Sequence, residues 1–251
     1  MTPAKKLAQA ATPYLTAGIM ILAVWSLVVA ILQVPATILP SPSLVGSTFV
    51  KVSSSGELFK HALISLARVT VAWFISLLAA VPLGLLMGYS RNAEKIVDPF
   101  VELLRPISPL AWIPMAILWF GIGEAGKVFV ILIATFFPIL LNTIEGVKRV
   151  EPVLIRAGRV LGCESNLEIF RRVILPAALP SIIVGMRISF GTGWAAIIAA
   201  ELVAAKIGLG FLIANGMEIL RSDLVFVGMI TIGIIGVCID SIFRSIQSRL
   251  A

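Results

Sequence analysis

The sequence predicts an all-α polytopic membrane protein of about six transmembrane helices, and three observations predict it. Of 251 residues, 59% are hydrophobic and only 13% are charged. Mean hydropathy is +1.05, whereas a soluble domain carries about a quarter charged residues. The apolar residues gather into runs near the roughly 20 residues that a bilayer core requires. Disorder and collagen are excluded by the same figures. Two cysteines, Cys163 and Cys238, give no disulfide framework, and no CxxC or His-rich cluster points to a metal.

The first run, at about 14–33, follows Lys5 and Lys6 in the manner of a signal peptide. Its apolar core is longer than a usual leader's and no A-x-A site follows, so it reads as a retained anchor. The second run covers about 63–88. The third, about 100–122, has Pro99, Pro106, Pro109 and Pro114 in or beside it. Each interior proline removes a donor and clashes with the preceding turn, so this run cannot be one straight helix. Broken backbone at membrane depth survives only against protein or water, which marks the run as a candidate pathway wall. The remaining runs lie at about 128–144, 177–200 and 225–243. Between the fourth and fifth, 145–172 is too charged to cross a bilayer.

Lysine and arginine placement predicts that both termini are cytoplasmic. The inner segments then hold Lys5, Lys6, Arg91, Lys95, Lys148, Arg149, Arg156, Arg159, Arg171, Arg172, Arg244 and Arg249. Only Lys51, Lys60, Lys127, Lys206 and Arg221 fall outside, while Arg68, Arg105 and Arg187 lie in or beside the runs. The formal charge of +7 is therefore topological, and no soluble domain offers it to nucleic acid.

Within the inner segment, Val153, Leu154, Ala157, Val160 and Leu161 recur at helical spacing. Gly162 supplies a stop, because glycine adopts the left-handed C′ position cheaply. Ser165 and Glu168 are spaced as a capping box that starts a second helix, and Pro176 is placed to open the fifth span. The result is a helix–turn–helix on the inner face with an apolar side to cover. Such a side can rest on lipid or receive a soluble partner.

Arg156-Ala157-Gly158, then Gly162, then Val173-Ile174-Leu175-Pro176 resembles the EAA motif of ATP-binding cassette (ABC) importer permeases. Arg156 stands at the motif's glutamate, Gly158 at its second alanine, and the gap after Gly162 is one residue longer than usual. The stretches LPSPSLV, RPISPLAWIPMAILWFGIGE and GWAAIIAAELVAAKIGLGF resemble permeases for taurine, alkanesulfonates, nitrate and bicarbonate. The resemblance runs from about 38 to 250. It implies a type I importer fold, with residues 1–251 as one permease domain and a coupling loop at about 145–172. In that loop Arg156, Ala157, Gly158, Leu161, Gly162, Glu164 and Phe170 would meet the ATPase. It also implies two copies of the chain, two cytoplasmic ATPases, an extracytoplasmic solute-binding protein and a bacterial-type inner membrane. No cofactor is expected in this chain, since ATP and magnesium would be bound by the ATPase. The substrate expectation is a small anion, sulfonate or taurine first, nitrate or bicarbonate next.

Candidate pathway residues are Arg105, Ser108, Trp112, Asn142, Arg187, Thr192, Trp194 and Glu201. Glu201 would repel an anion, so it reads as a gating or structural residue, with Lys206 near enough to pair at the outer interface. Arg187 suits an anion by charge but can also snorkel inward. Gly121 to Val128 mimics a P-loop, yet Val128 lacks the magnesium-binding hydroxyl. Gly191 to Ala196 mimics a dinucleotide fingerprint without a preceding strand. Its glycines, with Gly84 and Gly88, read instead as sites of close helix approach. His61 stands in an outer loop with no triad around it. A membrane enzyme would need a carboxylate cluster or HExxH pair, which the sequence lacks. A stand-alone ion-coupled carrier is the alternative, although duplicated halves are not evident.

Overall fold

The computed structural model describes residues 3–250, with side chains from Thr16 to Ser248. Lys5, Lys6, Tyr14 and Arg249 lie outside the described side chains. The described residues form helices and no strands: α1 Pro3–Leu32, α2 Pro42–Ser54, α3 Glu57–Tyr89 and α4 Arg91–Leu104. A 3₁₀ turn, Pro109–Trp112, leads to α5 Ile113–Phe120 and α6 Glu124–Lys148. Then come α7 Pro152–Val160, α8 Asn166–Ile169, a π turn Phe170–Ile174, α9 Leu175–Ala204, α10 Leu209–Glu218 and α11 Ser222–Leu250.

Each apolar run of the sequence falls on one helix except the third, which is divided among α4, the 3₁₀ turn and α5. Four stretches are long and apolar enough to cross a membrane: α3, α6, Asn166–Ala204 and Ser222–Ser248. The proline-rich third run is bent by 81° between α4 and the Pro109–Phe120 segment, as its missing donors require. The first run lies in α1, whose apolar stretch Thr16–Leu32 is shorter. Its Ile21 and Ile31 are exposed, and Trp25 anchors it by stacking on Phe226 with centroids 5.0 Å apart.

The core is a three-helix layer with α6 between α3 and α9. Helices in lipid gain little from hydrophobic burial against each other and rely on close packing of small residues. On α3 the buried positions Ser65, Val69, Ala72, Ser76, Ala80, Gly84 and Met87 follow three- and four-residue steps, which is one helix face. A Cβ on Gly84 would lie 2.7 Å from Thr143 Cβ, and one on Gly88 2.6 Å from Val147 Cβ. From the other side, Gly185 meets Asn142 Cβ at 2.7 Å and Gly193 meets Thr135 Cγ2 at 2.6 Å, measured in the same way. Gly191 departs from this expectation, with no neighbour within 4 Å. Backbone polarity is handled locally: Pro138 leaves the Ala134 carbonyl without its helical donor, and the Thr192 hydroxyl donates to that oxygen at 2.9 Å.

Two features go beyond the sequence reading. The short helices α2 and α10 follow the first and fifth runs where loops were expected. Thr48 of α2 donates to Asp223 of α11 at 2.7 Å, so α2 is tied to the bundle. Pro176 stands in the first turn of α9, as its placement predicts, but the turn before it stays helical, so Asn166–Ala204 runs as one stretch. Pro176 is accommodated because Leu175 N–H bonds to Phe170 O, five residues back. That widened turn reduces the clash a proline causes in a helix interior.

Candidate functional site

Most of the expected site residues fall into three places, the α7 end of the bundle, the break between α4 and α5, and the opposite end beside α10, while Asn142 stands within α6 and Arg187 and Trp194 face α11.

At the α7 end, local chemistry sets the geometry. Gly162 takes φ +94° and its N–H and that of Cys163 close the helix onto Arg159 and Gly158 carbonyls. Ser165 caps α8 by accepting from Glu168 N–H at 3.1 Å, and the Glu168 carboxylate accepts from Ser165 N–H. Gly158 faces inward, where a Cβ would lie 2.8 Å from Val173 Cγ2. Cys163 and Ile169 join Val147, Ile174 and Ala178 in a small core. The periodic apolar residues point the other way: Val160 is 87% and Leu161 84% exposed, with Val153 and Leu154 also open. Arg156, Ala157, Gly162 and Glu164 share this exposure. Phe170 is half-buried and meets Tyr89 edge to face at 5.6 Å. This end thus presents an apolar helix face that the described residues do not cover.

At the break, Arg105, Ile107, Pro109, Ile133, Ala134, Phe137, Pro138, Leu141 and Thr192 line a cavity of about 320 Å³. Arg105 caps α4 as its last turn ends. Its guanidinium makes no hydrogen bond or ion pair among the described residues. Of the other candidates, Ser108 is exposed. Trp112 packs among Trp119 and Phe129, and its indole N–H finds no acceptor among the described residues. Asn142 donates to its own helix at Pro138 O, 2.8 Å away. Trp194 donates to Ile232 O at 3.2 Å, tying α9 to α11. Arg187 is held by Asp240 through Nε at 2.6 Å and Nη2 at 3.2 Å, so the charge considered for an anion is already neutralised. The structure brings Arg105 and Thr192 to the cavity at the break, and Arg187 and Trp194 to a smaller one closed by Asp240 and Phe243 of α11.

At the α10 end, Glu201 sits 1% exposed, and its surroundings correct the sequence reading. Its partner is Arg68, whose Nη1 donates to Oε1 at 2.7 Å, and not Lys206. Arg68 also donates to Glu124 at 2.5 and 2.7 Å and to Ile207 O at 2.7 Å. Lys127, a buried lysine, completes the set by donating to Glu124 at 2.7 Å. Thus the segment resembling a P-loop supplies two members of an ion network. Ser65 donates to the Glu201 carboxylate at 2.8–2.9 Å. The same Ser65 oxygen accepts from Leu209 N–H at 2.9 Å, and Glu201 Oε2 accepts from Gly210 N–H at 3.0 Å. His61 lies on α3, not in a loop, and its Nδ1 accepts from Gly208 N–H at 2.9 Å. Sequence reasoning missed Ser65, Arg68, Glu124, Lys127 and Gly208. A charge inside an apolar run, as at Arg68, was the available signal.

Residues 80–251 match the family model described as binding-protein-dependent transport system inner membrane component. The chain is 38% identical to the taurine transport system permease protein of Escherichia coli (strain K12), over 92% of this chain and 85% of that one. It is 34% identical to the nitrate import permease protein of Leptolyngbya laminosa, over 77% and 69%. A solved inward-facing structure of the MetNI methionine ABC transporter superposes with a TM-score of 0.70 at 21% identity, covering 79% of this chain and 98% of that one. The last likeness shows the fold, which is that of an ABC importer permease.

Proposed function

This chain belongs to the binding-protein-dependent transport system inner membrane component family, and from that premise we propose the substrate it passes, the surfaces it uses and its orientation. It is a multi-pass membrane permease subunit of an ABC importer, not an enzyme, and not a stand-alone carrier. Such permeases work with a separate ATPase and a solute-binding protein. We read residues 1–251 as one permease domain, paired with a second copy around a central pathway. Both termini face the cytoplasm, so α7 faces in and α10 faces out. The ATPase seats on the exposed face formed by Val153, Leu154, Ala157, Val160 and Leu161, within the coupling loop at 145–172. ATP and magnesium belong to that ATPase, and no cofactor is held by this chain.

The substrate is a small aliphatic sulfonate such as taurine, with nitrate or bicarbonate next. The observation that carries this reading is Arg105 at the broken span. It is the one charged side chain lining the cavity of about 320 Å³, with Thr192 beside it and apolar groups around them. One cation in an otherwise apolar lining suits an anion that carries a hydrocarbon tail. Arg68 and Arg187 do not compete for this role, because carboxylates hold both. ATP closes the ATPases, draws the α7 helices together and turns the pathway outward to receive solute.

The test is ATP hydrolysis by the complex in nanodiscs, with its binding protein and a panel of taurine, alkanesulfonates, nitrate and bicarbonate. Stimulation by taurine or an alkanesulfonate is expected, and Arg105→Gln should lower uptake at least tenfold without loss of assembly. Stimulation by nitrate or bicarbonate alone would overturn the sulfonate reading. Unchanged uptake in Arg105→Gln would remove Arg105 from the pathway.

A further inference from the structure

The N-terminus of α10 is fastened by three side chains from two other helices, and one of those fastenings can be undone by a proton. The N–H groups of Gly208, Leu209 and Gly210 are donors with no partner inside their own helix. They are taken in order by His61 Nδ1 of α3 at 2.9 Å, Ser65 Oγ of α3 at 2.9 Å and Glu201 Oε2 of α9 at 3.0 Å. The preceding carbonyl, Ile207 O, is held by Arg68 at 2.7 Å. The seat requires its glycines. Gly208 adopts φ +138°, and a Cβ there would run into the Glu201 carboxylate. A Cβ on Gly210 would lie 2.5 Å from Ile198 O. The His61 ring also stacks on Phe211 at 6.0 Å, which fixes the imidazole over the first turn of α10.

We propose that His61 is a positioning residue for transport that makes the α3–α9–α10 latch sensitive to the proton concentration outside the membrane. This rests on the orientation given above, in which α10 faces out. To accept from Gly208 N–H, Nδ1 must carry a lone pair, so the latched imidazole is neutral with its proton on Nε2. Protonation places an N–H on Nδ1, two donors then face each other, and the bond to Gly208 is lost. Of the four groups that fasten 207–210, His61 is the imidazole, the side chain whose ordinary pKa lies in the range an external medium spans, and burial lowers it from that ordinary value. The charges acting on it are Glu57 and Lys60 from its own helix and Glu201 from α9; α2 and α10 add none to that set. The hydroxyl of Ser65 and the Arg68–Glu201 pair keep the rest of the seat in place. The change is therefore a loosening of the first turn of α10, not unfolding.

The experiment uses the complete transporter in proteoliposomes, with inner pH fixed and outer pH varied from about 7.5 to 5.5. Uptake by the wild-type protein should fall at least twofold toward the lower end of that range, because burial of the imidazole disfavours its charged form and moves its titration to the acid side of a free histidine's. His61→Asn retains an acceptor near the Nδ1 position but does not titrate. It should match wild type at the upper pH and lose the acid fall. His61→Ala removes the acceptor and should be slow at every pH. The proposal is overturned by a wild-type acid fall that persists in His61→Asn, by the absence of any acid fall in wild type, or by normal uptake in His61→Ala. An acid fall that follows the inner pH overturns outward sensing and the orientation together. Hydrogen exchange at 207–211 in the same complex gives a readout independent of transport. After correction for intrinsic rates, exchange should rise about tenfold at the lower pH in wild type and not in His61→Asn; equal behaviour of the two would overturn the latch even if transport itself failed.

Discussion

The two ends of this bundle solve opposite problems. At the α10 end the carboxylates, Arg68, Lys127 and the N–H groups of 208–210 are paired inside the chain, and Glu201 is withdrawn from solvent. At the α7 end the backbone is equally well capped, yet large apolar side chains stand open, Val160 at 87% and Leu161 at 84%. Local order is present at both ends. What differs is where the missing contacts come from: the first end is completed by its own distant residues, and the second, on the function proposed above, by the ATPase. An end completed internally resists substitution poorly and partners indifferently, and an end completed externally does the reverse.

The contrast can be broken first at its most buried point. Arg68→Leu leaves the buried Glu201 carboxylate without its cation, at a cost of about 3–5 kcal/mol, read as a large loss of thermal stability in detergent. The double variant Arg68→Leu with Glu201→Leu should recover part of that loss, since replacing both charges by apolar groups is often near neutral. Gly84→Leu tests the layer that joins the ends. Its side chain would be driven into Thr143, and overpacking of this kind costs roughly 1–3 kcal/mol, again visible as a lower melting temperature. Gly162→Val sharpens the other side of the comparison. Beyond its chain neighbours, no atom of the described residues lies within 4 Å of a Cβ placed there, so the cost is that of the left-handed backbone, about 1–2 kcal/mol. Membrane insertion should be normal, and copurification of the ATPase should fall at least tenfold. Leu161→Asp should change stability least, within about 0.5 kcal/mol, because the residue touches little within the chain. It should still abolish ATPase copurification; retained ATPase would mean that the open face is not the seat.

The same contrast explains what could be read from the sequence. The α7 end was legible because its determinants are neighbours: Gly162 as stop, Ser165 with Glu168 as capping box, and apolar residues at three- and four-residue spacing. The bend at the third run was legible for the same reason, since its prolines sit within the segment they break. The direction of the apolar face was not. Val160 and Leu161 turn outward while Gly158 and Ile169 turn inward, and spacing alone does not say which side a bundle covers. The latch was the least legible part. Its members are 133, 136, 144 and 147 residues apart, and nothing local to His61, Ser65 or Arg68 announces Glu201 or Gly208. The lysine nearest Glu201 in sequence was a misleading partner for that reason. Thr192 shows a subtler limit: it was polar within a span and so a pathway candidate, yet its hydroxyl also serves the carbonyl that Pro138 orphans.

The comparison is tested most directly by hydrogen exchange on the permease in nanodiscs with and without its ATPase. Amides of 153–161 should slow at least tenfold when the ATPase is bound, while those of 208–210 should be protected equally in both samples. No added protection at 153–161, or protection at 208–210 that appears only with the ATPase, would contradict the division into an externally and an internally completed end.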